Sequence, residues 1–301
     1  MSQSPDSALT TERPLTLLDV LNRSVQHLQK KKIEKARLQS ELLIAHALNL
    51  PRLQLYLQFD RPLSTPELDS IRTLIRRRSN FEPLQYILGT AEFMSLPFSV
   101  TPQTLIPRPE TEILVESAIQ QIRLFSKSGV KVCDIGTGCG NIAIAIKSNC
   151  PDISITAVDI SPTAIAVAQK NAAQLGFATQ IDFKIGNLFE SVPGEKFDLI
   201  VSNPPYVVHH QIKELEPEII QFEPHSALDG GKDGLEFYRR IIAESQNHLN
   251  DSGFLLFEIG QGQITGIRDI FQKFPSFHII KVIPDLTQIE RVIVAQLNPN
   301  S

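Results

Sequence analysis

Cysteine is scarce in this chain. Cys133, Cys139 and Cys150 make an odd number, and no two of them form a Cys-x-x-Cys pair. That pattern supports neither a zinc ribbon nor a disulfide framework, and it fits a reducing, cytoplasmic setting. Long apolar runs are missing as well. No stretch approaches the roughly 20 residues that a membrane-spanning helix needs. The polar N-terminus, Met1 to Glu12, lacks the apolar run of a signal peptide. A basic surplus is also absent. The formal net charge is −4 and the isoelectric point about 6.0, so a strongly basic nucleic-acid binder is not indicated. Tryptophan does not occur, and nothing follows from that.

What is present is ordinary globular material. The 301 residues are 42% hydrophobic and 21% charged, enough for a sizeable core and for two domains. Residues 1–13 read as a disordered tail. Residues 14–90 read as a small all-helical domain. Thr16 and Asp19 suit a helix start, and Leu17, Leu18, Leu21, Val25 and Leu28 follow at helical spacing. Ala36 to Leu48 and Leu53 to Leu57 give two more helices, and Thr65 is placed to cap a fourth ahead of Pro66. Two basic clusters, Lys30-Lys31-Lys32 with Lys35 and Arg37, and Arg76-Arg77-Arg78, fall at helix ends where cations are favourable. A solvated helix end is the plainer account of them; a docking face for an acidic or RNA-associated partner is the other.

Residues 91–107 change character. Pro97, Pro102 and Pro107 break short apolar runs, as in a β-hairpin connector. Arg108-Pro109-Glu110-Thr111-Glu112 then opens a helix expected to reach Ser126. Beyond Val130 strands and helices alternate. Strands are expected at residues 130–135, 153–160, 180–185, 197–202 and 253–259, with a closing antiparallel pair at 277–283 and 290–296. This is an α/β pattern, a doubly wound, mostly parallel sheet of seven strands over residues 108–301.

Three strand ends in that domain carry chemistry. Phe197 to Ser202 is a buried strand that stops abruptly at Asn203-Pro204-Pro205-Tyr206. A stiff loop at a strand's carboxyl end sits where α/β sheets bind ligands. Its carboxamide, bare proline carbonyls and aromatic ring suit a planar –NH2 group. The first strand runs into Asp134-Ile135-Gly136-Thr137-Gly138-Cys139-Gly140 ahead of a helix. Glycines there let a ligand approach the backbone and the free N–H groups of the helix start. The spacing is Gly-x-Gly-x-Gly, not the dinucleotide Gly-x-Gly-x-x-Gly. Asp134 would repel a pyrophosphate and suits a cationic ligand part such as an ammonium group. Asp159 ends the second strand about 20 residues on, where an acid accepts from ribose hydroxyls. Asn187 and Leu188 follow the third strand, at the place for an adenine edge and face.

The glycine loop, Asp159 and Asn-Pro-Pro-Tyr, in that order, resemble the class I S-adenosylmethionine-dependent methyltransferases. Glu82-Pro83-Leu84-Gln85-Tyr86-Ile87-Leu88-Gly89, residues 104–112 (Thr-Leu-Ile-Pro-Arg-Pro-Glu-Thr-Glu) and residues 222–228 (Phe-Glu-Pro-His-Ser-Ala-Leu) narrow the likeness to the PrmC/HemK family. These are glutamine-N5 methyltransferases acting on peptide chain release factors. The resemblance covers most of residues 14–296. It implies S-adenosyl-L-methionine held by Asp134, Gly136, Thr137, Gly138, Cys139, Gly140, Asp159, Asn187, Leu188 and Asn203. It implies a substrate amide met by Asn203, Pro204, Pro205 and Tyr206, with Asn203, Pro204 and Tyr206 as the catalytic set. The helical domain becomes the substrate-recognition domain. A cytoplasmic monomer without a metal, and with release factors rather than nucleic acid as partner, is expected. Two positions depart from the family pattern: Asn187 where an acid is common, and Gln221 where an arginine often precedes Phe-Glu-Pro. The competing reading is methylation of an adenine or guanine amino nitrogen, which presents the same planar –NH2. That would demand a basic, aromatic-lined channel, and no basic run occurs between residues 130 and 301.

Overall fold

The computed structural model describes residues 14–299; the tail expected over residues 1–13 lies outside the described residues. The chain divides between Leu88 and Gly89 into two compact units.

The first unit is helical: α1 (Leu17–Lys30), α2 (Ala36–Ala47), α3 (Arg52–Tyr56), α4 (Thr65–Ser79) and α5 (Leu84–Leu88). The reciprocal cap expected at α1 forms, with the Asp19 N–H donating to Thr16 Oγ1 at 3.2 Å and the Thr16 N–H donating to the Asp19 carboxylate at 3.1 Å. At α4 the cap is Ser64 rather than Thr65. Glu67 reaches back to accept from the Ser64 N–H at 2.9 Å and its hydroxyl at 2.8 Å, a box that only Ser64 is spaced to make. Leu17, Leu21, Leu28, Leu43, Ile44 and Leu55 are buried at the centre. The arginine cluster is partly consumed inside this unit. Arg78 is buried, its Nε donating to Gln39 at 2.6 Å and its Nη1 to the Glu82 carbonyl at 3.0 Å. Arg77 pairs with Glu82. Lys30, Lys31 and Lys32 remain exposed.

The second unit begins with a hairpin, β1 (Thr90–Phe93) and β2 (Leu96–Ser99). Met94 and Ser95 turn it with φ of 49° and 59°, the left-handed pair that a two-residue hairpin loop requires. There follow α6 (Thr111–Ile122), β3 (Lys131–Ile135), α7 (Asn141–Asn149), β4 (Ser154–Asp159), α8 (Pro162–Gln174), β5 (Ile181–Ile185), β6 (Phe197–Ser202), α9 (Pro217–Phe222), α10 (Glu236–Ser245), β7 (Leu249–Glu258), α11 (Ile264–Phe271), β8 (Phe277–Pro284) and β9 (Glu290–Leu297). Helix α6 is shorter than expected at both ends. Residues 108–113 enter through three successive i→i+3 bonds, and the chain leaves through two more at Leu124 and Phe125. Such bonds make tight turns rather than α-helix.

The hairpin is built into this unit. Phe93 and Phe98 pack in the core with Leu114 and Val115. Asn171 of α8 accepts from the Ser99 N–H at 2.8 Å and donates to the Ser99 carbonyl at 3.0 Å and the Cys139 carbonyl at 2.9 Å. One fully buried carboxamide thus joins hairpin, helix and glycine loop.

The seven-stranded sheet has the order β5-β4-β3-β6-β7-β9-β8, with β9 antiparallel to both neighbours and the adjacent pairs among β3 to β7 parallel. The chain lays β3, β4 and β5 outward in one direction, then returns to place β6 on the other side of β3. That reversal is the switch point at which such sheets open a crevice. Every residue of β6 is buried, as its aliphatic run requires. Asp198 is the charged exception, and it is matched: Lys127 Nζ donates at 2.7 Å, the Lys131 N–H at 2.9 Å and Asn250 Nδ2 at 2.6 Å. Among the described residues no helix is long and apolar enough to cross a membrane.

Candidate active site

Ile135 and Ser202 are paired at the ends of β3 and β6, and the Ser202 hydroxyl donates to the Ile135 carbonyl at 2.7 Å. The glycine loop and Asn203-Pro204-Pro205 therefore leave the sheet side by side. A cavity of about 600 Å³ opens there, within the usual range for small-molecule sites. Of the residues expected at the site, Gly136, Thr137, Gly138, Cys139, Asp159, Asn187, Leu188, Asn203, Pro204 and Pro205 line it.

The glycine loop and Asp159 brace each other. The Gly138 N–H donates to Asp159 Oδ2 at 2.8 Å, and the Ser161 N–H to Asp159 Oδ1 at 2.8 Å. Burial raises the Asp159 pKa, and these two donors oppose it. The Cys139 carbonyl accepts from Asn171 Nδ2 at 2.9 Å, and burial pushes the Cys139 thiol up to about 12.

Asp134, Gly140 and Tyr206 do not line the cavity. Gly140 has φ of +84°, and a Cβ there would meet Ala168 Cβ at 3.1 Å and Ile144 Cδ1 at 3.2 Å. Its lack of a side chain lets α7 and α8 close together. Asp134 stands behind the loop, fully buried at the end of β3. Its Oδ2 accepts from Thr137 Oγ1 at 2.6 Å and the Ala143 N–H at 3.2 Å, while its buried Oδ1 has no partner. Desolvation pushes its pKa up to about 7 against those two donors. Tyr206, expected to meet the substrate, packs against the core formed by Ile135, Tyr238 and Phe257. Two glycines explain why it fits: a Cβ on Gly230 would lie 2.7 Å from Tyr206 Cα, and one on Gly260 would lie 2.9 Å from its ring.

The glycine-rich segment after residue 228 is hydrogen-bonded to the chain just beyond Tyr206. Val207 and Asp229 form a parallel bridge, and the Gly230 N–H donates to the Val207 carbonyl at 2.8 Å. The fold also gives His209 a carboxylate neighbour, Asp229, at 2.6 Å. The histidine is exposed and outside the cavity lining.

Asn203 is held by a chain of hydrogen bonds. Its Nδ2 donates to Thr111 Oγ1 at 3.1 Å, and Thr111 Oγ1 donates to Glu258 Oε2 at 2.6 Å. The Asn203 Oδ1 is left free of bonds within the described chain, as is the Pro204 carbonyl. Sequence reasoning missed Thr111 and Glu258 as site residues. The available signal was an acid closing a buried apolar strand, Leu255-Leu256-Phe257-Glu258, as Asp134 and Asp159 nearly or fully close theirs. Arg240 was missed as well. It lines the cavity and its Nη2 donates to Asn187 Oδ1 at 3.0 Å, while Asn187 Nδ2 turns to Glu190 at 3.2 Å. The amide that departs from the usual acid thus spends one lone pair on Arg240 and keeps one. Arg108 also lines the cavity and pairs with the buried Glu223, joining two of its walls.

Residues 19–89 match the model of the PrmC N-terminal domain and residues 110–232 that of the methyltransferase small domain. Along 285 residues the chain is 44% identical to a release factor glutamine methyltransferase from Geobacter sulfurreducens, covering 94% of this chain and 98% of that protein. It belongs to the release factor glutamine methyltransferase family. A second member, from Thermodesulfovibrio yellowstonii, is 39% identical over 258 residues, covering 86% of this chain and 91% of its own length. The crystal structure of the hMettl16 catalytic domain with a MAT2A 3'UTR hairpin shares the fold, at a TM-score of 0.52 and 16% identity, over 78% of this chain and 82% of that one. In this release factor glutamine methyltransferase family member the sheet is the class I methyltransferase sheet, and the helical unit carries the PrmC N-terminal domain match.

Proposed function

We propose that this chain transfers a methyl group from S-adenosyl-L-methionine to the side-chain amide nitrogen, N5, of the glutamine in the Gly-Gly-Gln motif of peptide chain release factors. The observation that carries the reading is the pair of unbonded acceptors, Asn203 Oδ1 and the Pro204 carbonyl, beside the glycine-loop cavity of a member of this family. Two acceptors match the two N–H donors of a primary amide.

The residues around the cavity fit an adenosyl methyl donor. Asp159 uses one lone pair of each oxygen on backbone N–H groups and keeps others for ribose hydroxyls. Asn187 and Leu188 stand beyond β5 for the base. Asp134 does not line the cavity, but its buried Oδ1 has no partner, and a carboxylate oxygen of that kind favours a donor or a cationic ligand group. When bound, the donor supplies a methyl group activated on a sulfonium.

The chain's task is orientation. An amide nitrogen is a poor nucleophile because its lone pair is delocalised into the carbonyl. Asn203 Oδ1 and the Pro204 carbonyl accept its two hydrogens and turn that lone pair toward the methyl carbon, which is worth a large share of the barrier. The nitrogen lone pair forms the new N–C bond, the C–S bonding pair passes to sulfur, and the nitrogen sheds one proton to water. Positive charge develops on nitrogen as the bond forms, so both acceptor contacts strengthen in the transition state. The stiff backbone of Pro204 and Pro205 fixes the carbonyl in advance.

The test is partition of label. The protein is incubated with donor carrying a labelled methyl group, separately with a release factor and with RNA or DNA. Label in the release factor supports the reading. Label in nucleic acid and none in protein overturns it in favour of an amino-nitrogen methyltransferase of bases.

A further inference from the structure

We propose that Glu258, acting through Thr111, fixes which end of the Asn203 carboxamide faces the substrate, and is therefore a positioning residue for methyl transfer. The inference rests on Asn203 being the acceptor for the substrate amide.

The three residues come from three separate elements. Glu258 is the last residue of β7, Thr111 the first of α6, and Asn203 follows β6. Glu258 and Thr111 are almost completely buried, at 1% and 2% exposure. Thr111 and Asn203 both line the cavity. Carboxamide ends are close to isosteric, so shape alone does not decide whether Asn203 presents its oxygen or its –NH2. A hydroxyl does decide it. Thr111 has one proton, and that proton is committed to Glu258 Oε2 at 2.6 Å, since an ionised carboxylate can only accept. Toward Asn203 the Thr111 oxygen then offers lone pairs only, so it must meet Nδ2, as it does at 3.1 Å. Oδ1 is turned to the opposite side. Reversed, Asn203 would present two donors to an incoming –NH2 that itself has only donors to offer.

The polarity of the relay depends on the carboxylate being ionised. Its neighbours are Thr111, the phenol of Tyr206, the side chain of Glu110 and Arg291 on β9. Burial pushes Glu258 up to about 7, partly opposed by the Thr111 bond and by Arg291. A protonated Glu258 carries an O–H that donates to Thr111, which frees the threonine proton to point at Asn203 and reverse the amide. The working state is the ionised one, so the rate rises as pH increases through about 7.

Four variants of the full-length chain are assayed with release factor and methyl donor. Thr111→Val removes the relay at constant shape, and kcat is expected to fall roughly tenfold or more, with KM for release factor and affinity for S-adenosylhomocysteine little changed. Thr111→Ser returns the hydroxyl and recovers most of the loss. Glu258→Gln removes the titrating group, so its lower kcat is flat where the wild-type profile climbs. Asn203→Ala tests the underlying reading separately. A rate unchanged in Thr111→Val, or an acid limb that persists in Glu258→Gln, overturns the relay. A rate unchanged in Asn203→Ala overturns the acceptor role itself. If Thr111→Val does not fold, the wild-type and Glu258→Gln profiles decide between the same two results.

Discussion

The Gly138 N–H and the Asp159 carboxylate meet at 2.8 Å, across the gap between the first two strand ends of the sheet. A residue expected only to hold ribose is therefore also a brace for the glycine loop that lines the cavity. Asp159→Ala loses both roles, and affinity for S-adenosylhomocysteine is expected to fall by roughly tenfold or more, since hydrogen bonds to a charged group contribute about 1.5–3 kcal/mol. Isothermal titration measures this. Asp159→Asn, which keeps one carbonyl oxygen for Gly138, should lose less.

Asn203→Ala separates chemistry from binding. The acceptor is needed as charge develops on the amide nitrogen, so methyl transfer in a single turnover should drop by about 10²-fold or more. Titration with S-adenosylhomocysteine should change little. Equal losses in both would contradict the role given to the carboxamide.

The loop glycines are not equivalent. Gly138 has φ of +57° with open space around a would-be Cβ, whereas Gly140 has φ of +84° and contacts at 3.1 and 3.2 Å. Gly138→Ala should cost about 1 kcal/mol of backbone strain. Gly140→Ala adds a steric conflict with α8 to the same strain and should be the less stable of the two in thermal or urea unfolding.

Asp198 gives a pH-dependent stability. Burial pushes its pKa up, but Lys127, the Lys131 N–H and Asn250 together hold it below the usual carboxylate value. A folded pKa below the unfolded one means the contribution is complete above about 4 and is lost as pH falls through the folded value. Asp198→Asn should therefore be destabilised by about 1–3 kcal/mol near neutral pH, and the gap to wild type should narrow in acid. Urea unfolding at neutral pH and below pH 4 checks the sign.

The sheet was legible because its strands are short aliphatic runs closed by glycine, proline or an acid, and β6 was placed to the residue. Element ends were less so. Thr65 looked like a cap because Pro66 follows it, but the Glu67 side chain decides for Ser64. The hairpin turn at Met94-Ser95 has no glycine or asparagine to announce it, although both residues take positive φ.

The cavity lining was legible where it is made of the glycine loop and a strand-end acid, as at Gly136, Gly138 and Asp159. What sequence could not give was side-chain direction. Asp134 and Tyr206 are adjacent in the chain to cavity residues, yet neither lines the cavity: Asp134 is fully buried and Tyr206, half-buried, packs against the core. Nor could spacing show that Thr111 and Glu258, 147 positions apart, share a hydrogen bond. In the relay proposed above, that bond orients Asn203, which the motif alone left open.

The most direct measurement is fragment-ion mass spectrometry of the release-factor peptide containing Gly-Gly-Gln, after incubation with this protein and S-adenosyl-L-methionine. One added methyl group on the glutamine side-chain nitrogen is the predicted result. An unmodified glutamine, with the methyl group on another residue or on nucleic acid from a parallel incubation, would contradict the account.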